Sequence, residues 1–378
     1  IMKFKINREQ FLKGLSIASR PTQAKSPIPI LGNILLSLDE TGLTLLGSSN
    51  ELAIRTHIPM RVNDLEVIRM FLPGETLISS KTLNESIRKM EGNEIDVEII
   101  DRTIAQISDG RTEYRLGAID SKDYPDIDLS QDGTVFEIGA KDFIKLVDQT
   151  SFAASVREQR PILTALNLNA VNGTLTAVAT DSARLANKVV TLKDNVSFVA
   201  NVPARIMNEV AKLLETMVGI ETIEVSASAN KINFMFDDTL VVSRLVAGEY
   251  PPTRSIIPKT HASFLEANAN ELLKAMDRVS ILYAAEKDNI VKLSLSPESV
   301  VVSARSTFSA ESAREEVALC KYVGEPLEIS FNYTLVSSAI KATGAEDVTI
   351  GFNGGHKPFS IRVATDDSLV LIVTPVRT

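Results

Sequence analysis

The chain has 378 residues, 44% of them hydrophobic, and a formal charge of −8 at pH 7; at about 100 to 200 residues per domain this is enough for two or three cores. No apolar run approaches the roughly 18 to 20 residues of a membrane span, and the N-terminus lacks the charged-then-apolar layout of a signal peptide, so a soluble, cytoplasmic protein is expected. The acidic balance argues at face value against a polyanion partner, and the single cysteine, Cys320, excludes an internal disulfide framework or a cysteine metal cluster and reads as an ordinary buried thiol.

In chain order, Ile1 ahead of Met2 is expected to be a remnant outside the natural start. Phe4 and Ile6 then alternate as in a short strand, and after Asn7, an acceptable N-cap, Phe11, Leu12, Leu15 and Ala18 follow at helical spacing. The turn signal Thr41-Gly42 opens an alternating strand over 43–46. A second helical pattern covers 82–90, a strand covers 95–100, and Tyr124-Pro125 reads as an exit from a sheet into a linker.

The same series then returns. Phe136, Ile138, Phe143, Lys145 and Val147 repeat Phe4, Ile6, Phe11, Lys13 and Leu15, followed by the turn Asn172-Gly173, a strand over 175–178, a helix over 204–214, a strand over 222–226 and the exit Tyr250-Pro251. A more diverged third copy begins at Leu265 and Ala267, runs after Asn268 through Leu272, Lys274 and Met276, and continues with the turn Pro297-Glu298, a strand over 300–303, a helix over 333–342 and a strand over 348–352. Phe143 lies 132 residues after Phe11, and Leu272 lies 129 after Phe143. That period is domain-sized, far longer than a solenoid repeat. The expected architecture is α+β, three repeated domains of two helices packed on antiparallel sheets, spanning 1–130, 131–257 and 258–378.

Charge is distributed unevenly. The six helical windows (8–20, 81–91, 141–160, 203–217, 270–287 and 333–343) hold 16 Lys+Arg against 11 Asp+Glu, whereas the remainder holds 24 against 37. Lys13, Lys145 and Lys274 sit two residues after the same apolar anchor in each copy, and Arg88, Lys212 and Lys341 take the matching part on the second helix. A lysine so placed is by default merely solvated; repetition together with the charge partition favours a helix face tracking a phosphate backbone.

Catalytic signatures are missing: there is no phosphate loop, dinucleotide fingerprint, zinc-protease motif or nucleophile elbow. His57, His261 and His356 are about a domain apart, which makes a zinc site improbable. Asp126 and Asp128 form a D-x-D that could hold magnesium for nucleotidyl transfer. Their equivalents after the second Tyr-Pro are Pro252 and Arg254, so a solvated linker is the favoured reading. A metal-dependent nucleotidyltransferase and a DNA-independent interaction scaffold remain the rival readings.

Three stretches, Ile28-Pro29-Ile30-Leu31-Gly32-Asn33, Ala179-Thr180-Asp181-Ser182-Ala183-Arg184-Leu185-Ala186 and the C-terminal Thr374-Pro375-Val376-Arg377-Thr378, together with the triple repeat, make the chain resemble the bacterial DNA polymerase III sliding clamp, the beta subunit, over essentially its full length. The resemblance implies a non-catalytic processivity factor without a cofactor: a head-to-tail homodimeric ring around double-stranded DNA, tethering the replicative polymerase, the clamp loader and other partners. It implies DNA contact by Lys25, Gln159 and Arg160, with Pro161 and Ile162 standing where family members can carry paired aromatics. Tyr114, Ile281 and Leu282 match dimer-interface positions. The implied partner-peptide pocket is Leu163, Thr180, Ser182, Arg184, Leu185, Pro251, Ile256, Ile372, Thr374, Pro375 and Val376. Ser182 replaces a usual glycine and Thr374 a usual aliphatic residue.

Overall fold

A computed structural model describes residues 1–23, 25–283 and 289–377; Thr378 of the C-terminal motif lies outside them. Each copy of the repeat supplies two helices, as the sequence predicts: α1 (Arg8–Ala18), α2 (Ser80–Lys89), α3 (Ala140–Asp148), α4 (Ala204–Thr216), α5 (Ala269–Ser280) and α6 (Tyr333–Thr343). Both expected caps form. Asn7 Oδ1 accepts from Gln10 N and Asn268 Oδ1 from Glu271 N, each at 3.0 Å, satisfying amides that a first helical turn leaves free. α6 ends on Gly344 at φ 61°, the left-handed stop that glycine takes without strain.

Two helical windows ran too long. The window over 141–160 stops at Asp148, because Thr150 Oγ1 bonds back to Leu146 O at 2.6 Å and a 3-10 turn, Ser151–Ala153, follows. The window over 270–287 stops at Ser280, followed by a 3-10 turn at Ile281–Tyr283; its residues 284–288 lie outside the described ones.

The chain packs as two compact units, Ile1–Ala140 with Lys212–Leu245, and Lys141–Ala211 with Val246–Thr378. The first holds a thirteen-stranded antiparallel sheet. Alternation in its opening strand Met2–Asn7 buries Met2, Phe4 and Ile6, and Phe4 meets Phe11 of α1 edge-on at 6.3 Å. Leu15 of α1 and Leu83 and Ile87 of α2 join the same core. The second unit holds a nine-stranded and a four-stranded sheet. Phe331, Phe352 and Phe359 pack there with ring centroids 5.6 to 5.7 Å apart.

Each unit contains one seam where strands of neighbouring repeats pair. In the first unit Leu52–Pro59 meets Thr239–Arg244, with Leu52 opposite Ser243 and Thr56 opposite Thr239. In the second, Arg184–Thr191 meets Asp366–Val373, with Arg184 opposite Val373 and Lys188 opposite Leu369. Arg184 and Lys188 lie 132 residues after Leu52 and Thr56; Val373 and Leu369 lie 130 after Ser243 and Thr239. The two joins therefore share one register. The central repeat is divided between the units because each of its sheets continues into a neighbour. No helix among the described residues is long and apolar enough to cross a membrane.

Candidate functional site

Lys13, Arg88, Lys145, Lys212, Lys274 and Lys341 lie on α1 to α6 in that order, and all six are exposed. Lys25, Gln159 and Arg160 are exposed on loops, the last two just before the 3-10 turn Pro161–Thr164. In the second unit Gln149 Nε2 donates to Ala342 O at 3.2 Å and Thr343 O at 3.4 Å, tying the end of α3 to the end of α6. Lys145 and Lys341 consequently line one open cavity of about 730 Å³, together with Lys141, Asp148 and Phe152. Lys141 was not singled out in the sequence; its place one turn before Lys145 on α3 was the available signal.

Of the pocket positions, Thr180, Ser182, Arg184, Leu185, Ile372 and Thr374 meet at the second join. Leu185 pairs with Ile372, and both are buried with Val178 and Val370 under Tyr250 and Ile257. Leu163 is buried in the Pro161–Thr164 turn; Thr180 is buried too, whereas Pro251, Pro375 and Val376 are half-buried. Tyr250 hydroxyl accepts from Thr180 N at 3.0 Å, and burial pushes its phenol up to about 12. Thr180 Oγ1 donates to Arg184 O at 2.6 Å and accepts from Ser182 N at 3.2 Å. Asp181 accepts from Ala183 N, Arg184 N and Arg184 Nε at 2.9 to 3.1 Å, which aims the guanidinium over Phe152, 5.6 Å from the ring centroid.

Ser182 sits exposed at φ 79°, the left-handed conformation for which glycine is the unstrained residue. The C-terminal segment is fastened by Thr374 N to Ala183 O and Val376 N to Ser330 O, both 2.9 Å. Ile256 is 46% exposed, and it is the neighbouring Ile257 that packs on the apolar cluster. Sequence reading missed Tyr250 and Ile257 as part of this site. Tyr250 was read only as a sheet exit, although its repetition of Tyr124 marked it as structural.

The rival metal site is engaged otherwise. Asp128 Oδ2 lies 3.0 Å from Lys231 Nζ, and Asp128 Oδ1 accepts from Ser130 Oγ at 2.6 Å; these hydrogen bonds, the serine's first, hold its carboxyl down at about 2. No group of three His, Cys, Asp or Glu side chains among the described residues could hold a metal ion. Cys320 is half-buried rather than buried, on the edge strand Cys320–Val323, with Sγ donating to Val317 O at 3.2 Å.

Models of the DNA polymerase III beta subunit match in chain order, the N-terminal domain over 2–128, the central domain over 137–252 and the C-terminal domain over 254–377. The chain belongs to the DNA polymerase III beta subunit family. The beta sliding clamp of Bacillus subtilis (strain 168) is 29% identical over 380 residues, and that of Streptococcus pneumoniae R6 is 31% identical over 381, each covering 100% of both chains. The solved DNA polymerase sliding clamp from Bacillus subtilis superposes with a TM-score of 0.95, covering 100% of this chain and 99% of that one at 29% identity. The DNA polymerase III beta chain from Streptococcus pneumoniae TIGR4 does so at 0.95 and 30% identity, covering 100% of both chains. This chain is a sliding clamp of DNA replication, a non-catalytic processivity factor with a three-domain α+β fold.

Among the open strand edges of the described residues, two belong to the strands that correspond to the halves of the joins. Ser312–Glu316 pairs only with Val300–Arg305. Glu113–Ile119 pairs along its length with Ile104–Ser108, but on its other side only Ala118 and Ile119 are bonded, which leaves 113–117 open. Tyr114 is half-buried on that open stretch; Ile281 is 70% exposed and Leu282 half-buried at the end of α5.

Proposed function

We propose that two copies of this clamp close head to tail into a six-domain ring around duplex DNA, and that the pocket at the second join holds a short peptide of the replicative polymerase, the clamp loader or another partner. The observation that carries the reading is the join itself. It occurs twice within the chain in one register, and its two halves recur unpaired as Ser312–Glu316 and residues 113–117. Pairing them across two copies covers both of these open edges. Transferring the register through the repeat sets Arg314 opposite Glu113 and Ala313 opposite Tyr114, so opposite charges face each other across the new seam. Ile281 and Leu282 supply apolar surface beside it.

Within such a ring the exposed cations on α1 to α6, with Lys25, Gln159, Arg160 and Lys141, face the DNA. Their contacts are to phosphate and carry no sequence information. Weak contacts suffice, since escape requires opening the ring or reaching an end, and a tethered polymerase gains processivity through effective concentration. Domain boundaries near 130 and 257, at the Tyr-Pro exits, and a cytoplasmic location complete the reading. After loading, the clamp is expected to stay on nicked circular DNA and to leave when that DNA is linearised. Equal retention on both forms would contradict the ring.

A further inference from the structure

The apolar cluster at the second join has a counterpart at the first. Leu46, Ala53, Leu240 and Val242 are buried together there, at the same repeat positions as Val178, Leu185, Val370 and Ile372, and Tyr124 covers them as Tyr250 covers the second set. The linkers differ. At the first join the linker lays Ile127 and Leu129 onto the cluster, whereas the positions 126 residues later are Thr253 and the exposed Ser255, and the second linker's aliphatic contact comes from Ile257 further on.

The first linker is also latched. Lys231 Nζ, on a side chain only 13% exposed, reaches Asp128 Oδ2 at 3.0 Å and Ser130 Oγ at 2.8 Å, and Asn233 Nδ2 donates to Ser130 O at 2.7 Å. Asn233 Oδ1 is buried with no hydrogen-bond partner among the described residues. Two aliphatic anchors spaced by two residues, with a carboxylate between them held by a lysine, describe an extended peptide seated in a groove.

We propose that the first join is a second peptide-docking groove, kept closed by the clamp's own residues 127–130 acting as a built-in competitor. Its external ligand is an extended peptide of the same chemistry: two aliphatic side chains flanking an acidic one. The inference rests on reading the second join as a peptide groove. An intramolecular competitor presents itself at an effective concentration on the order of millimolar and lowers apparent affinity by the fraction of time the groove is open.

The test uses a labelled, end-capped peptide of residues 124–131, titrated by fluorescence anisotropy into four proteins, each carrying all three repeats. The intact chain is expected to bind one peptide per chain, at the second join. A chain lacking residues 375–378 is expected to lose that site. The same truncated chain carrying Ile127→Ser and Leu129→Ser is expected to regain one site, with affinity at least about tenfold above the truncated parent, and Lys231→Glu is expected to abolish it. A folded double variant that binds no better than its truncated parent overturns the proposal. Absence of binding to the intact chain instead overturns the shared ligand chemistry of the two joins, leaving the opened variant to decide the first. If the double variant does not fold, Asp128→Lys in the truncated chain, which breaks the latch but keeps the anchors, must raise affinity; no rise overturns the proposal.

Discussion

At the first join Thr56 and Thr239 face each other with hydroxyls 2.9 Å apart, buried, and aliphatic linker residues cover the apolar floor. At the second, the place of Thr56 is taken by Lys188, whose Nζ bonds Ser368 Oγ at 2.6 Å and lies 3.6 Å from Asp366 Oδ2, and of the linker only Tyr250 and Ile257 pack on the apolar floor. The backbone register is the same in both. A few side chains therefore turn an apolar, linker-covered seam into one with a charged interior and fewer aliphatic residues of the linker upon it. In the proposed reading, partner binding resides in how the copies depart from each other, and assembly in what they keep.

The largest effect separating the joins is expected at Asp366. Its removal by Asp366→Ala leaves the Lys188 ammonium, 6% exposed, without its carboxylate. The cost should be about 2 kcal/mol, less than the ~3–5 kcal/mol of a fully buried pair because Asp366 is 29% exposed. Lys188→Met removes the buried charge together with its need for a partner and should leave the urea midpoint nearly unchanged or raise it. Burial, the largest influence, lowers the Lys188 pKa from its ordinary 10.5. Between the folded value and 10.5 the unfolded chain thus holds more protons, so this group makes stability rise with pH, and Lys188→Met should flatten that rise. A Lys188→Met variant destabilised as much as Asp366→Ala would contradict the account.

A smaller effect concerns Ser182. Its left-handed backbone costs an L-residue about 1 to 2 kcal/mol, so Ser182→Gly should stabilise the folded clamp by about 1 kcal/mol, less whatever entropy glycine adds to the unfolded chain. Thermal melting checks this, and a lower midpoint would mean the serine hydroxyl makes a contact worth more than the strain.

The repeat, the six helices and the helix-face cations were legible in the sequence because periodicity and caps are local signals. Asn7 and Asn268 mark their helix starts unaided. The joins were not legible. Lys188 within Arg184–Thr191 looks like any outward strand lysine, and its burial depends on Asp366–Val373 arriving from far along the chain. The linker was not legible: its aspartates and turn residues favour a solvated segment, whereas Ile127 and Leu129 pack on the first join. Two aliphatic residues between aspartates give no periodic signal, and their burial is decided by Lys231 and Asn233 about a hundred residues later. The pocket positions came from family resemblance; Tyr250 and Asp181, which hold the Thr180 to Arg184 turn, became visible only as hydrogen-bond partners.

Closure of the ring between two chains by a third copy of the join can be broken and restored by a charge exchange across its expected register. Sedimentation equilibrium should give twice the chain mass for the native clamp, a shift to monomer for Arg314→Glu, and a return to dimer when Glu113→Arg is added. A dimer unaffected by Arg314→Glu, or a double variant that stays monomeric, would contradict the shared register on which the account rests.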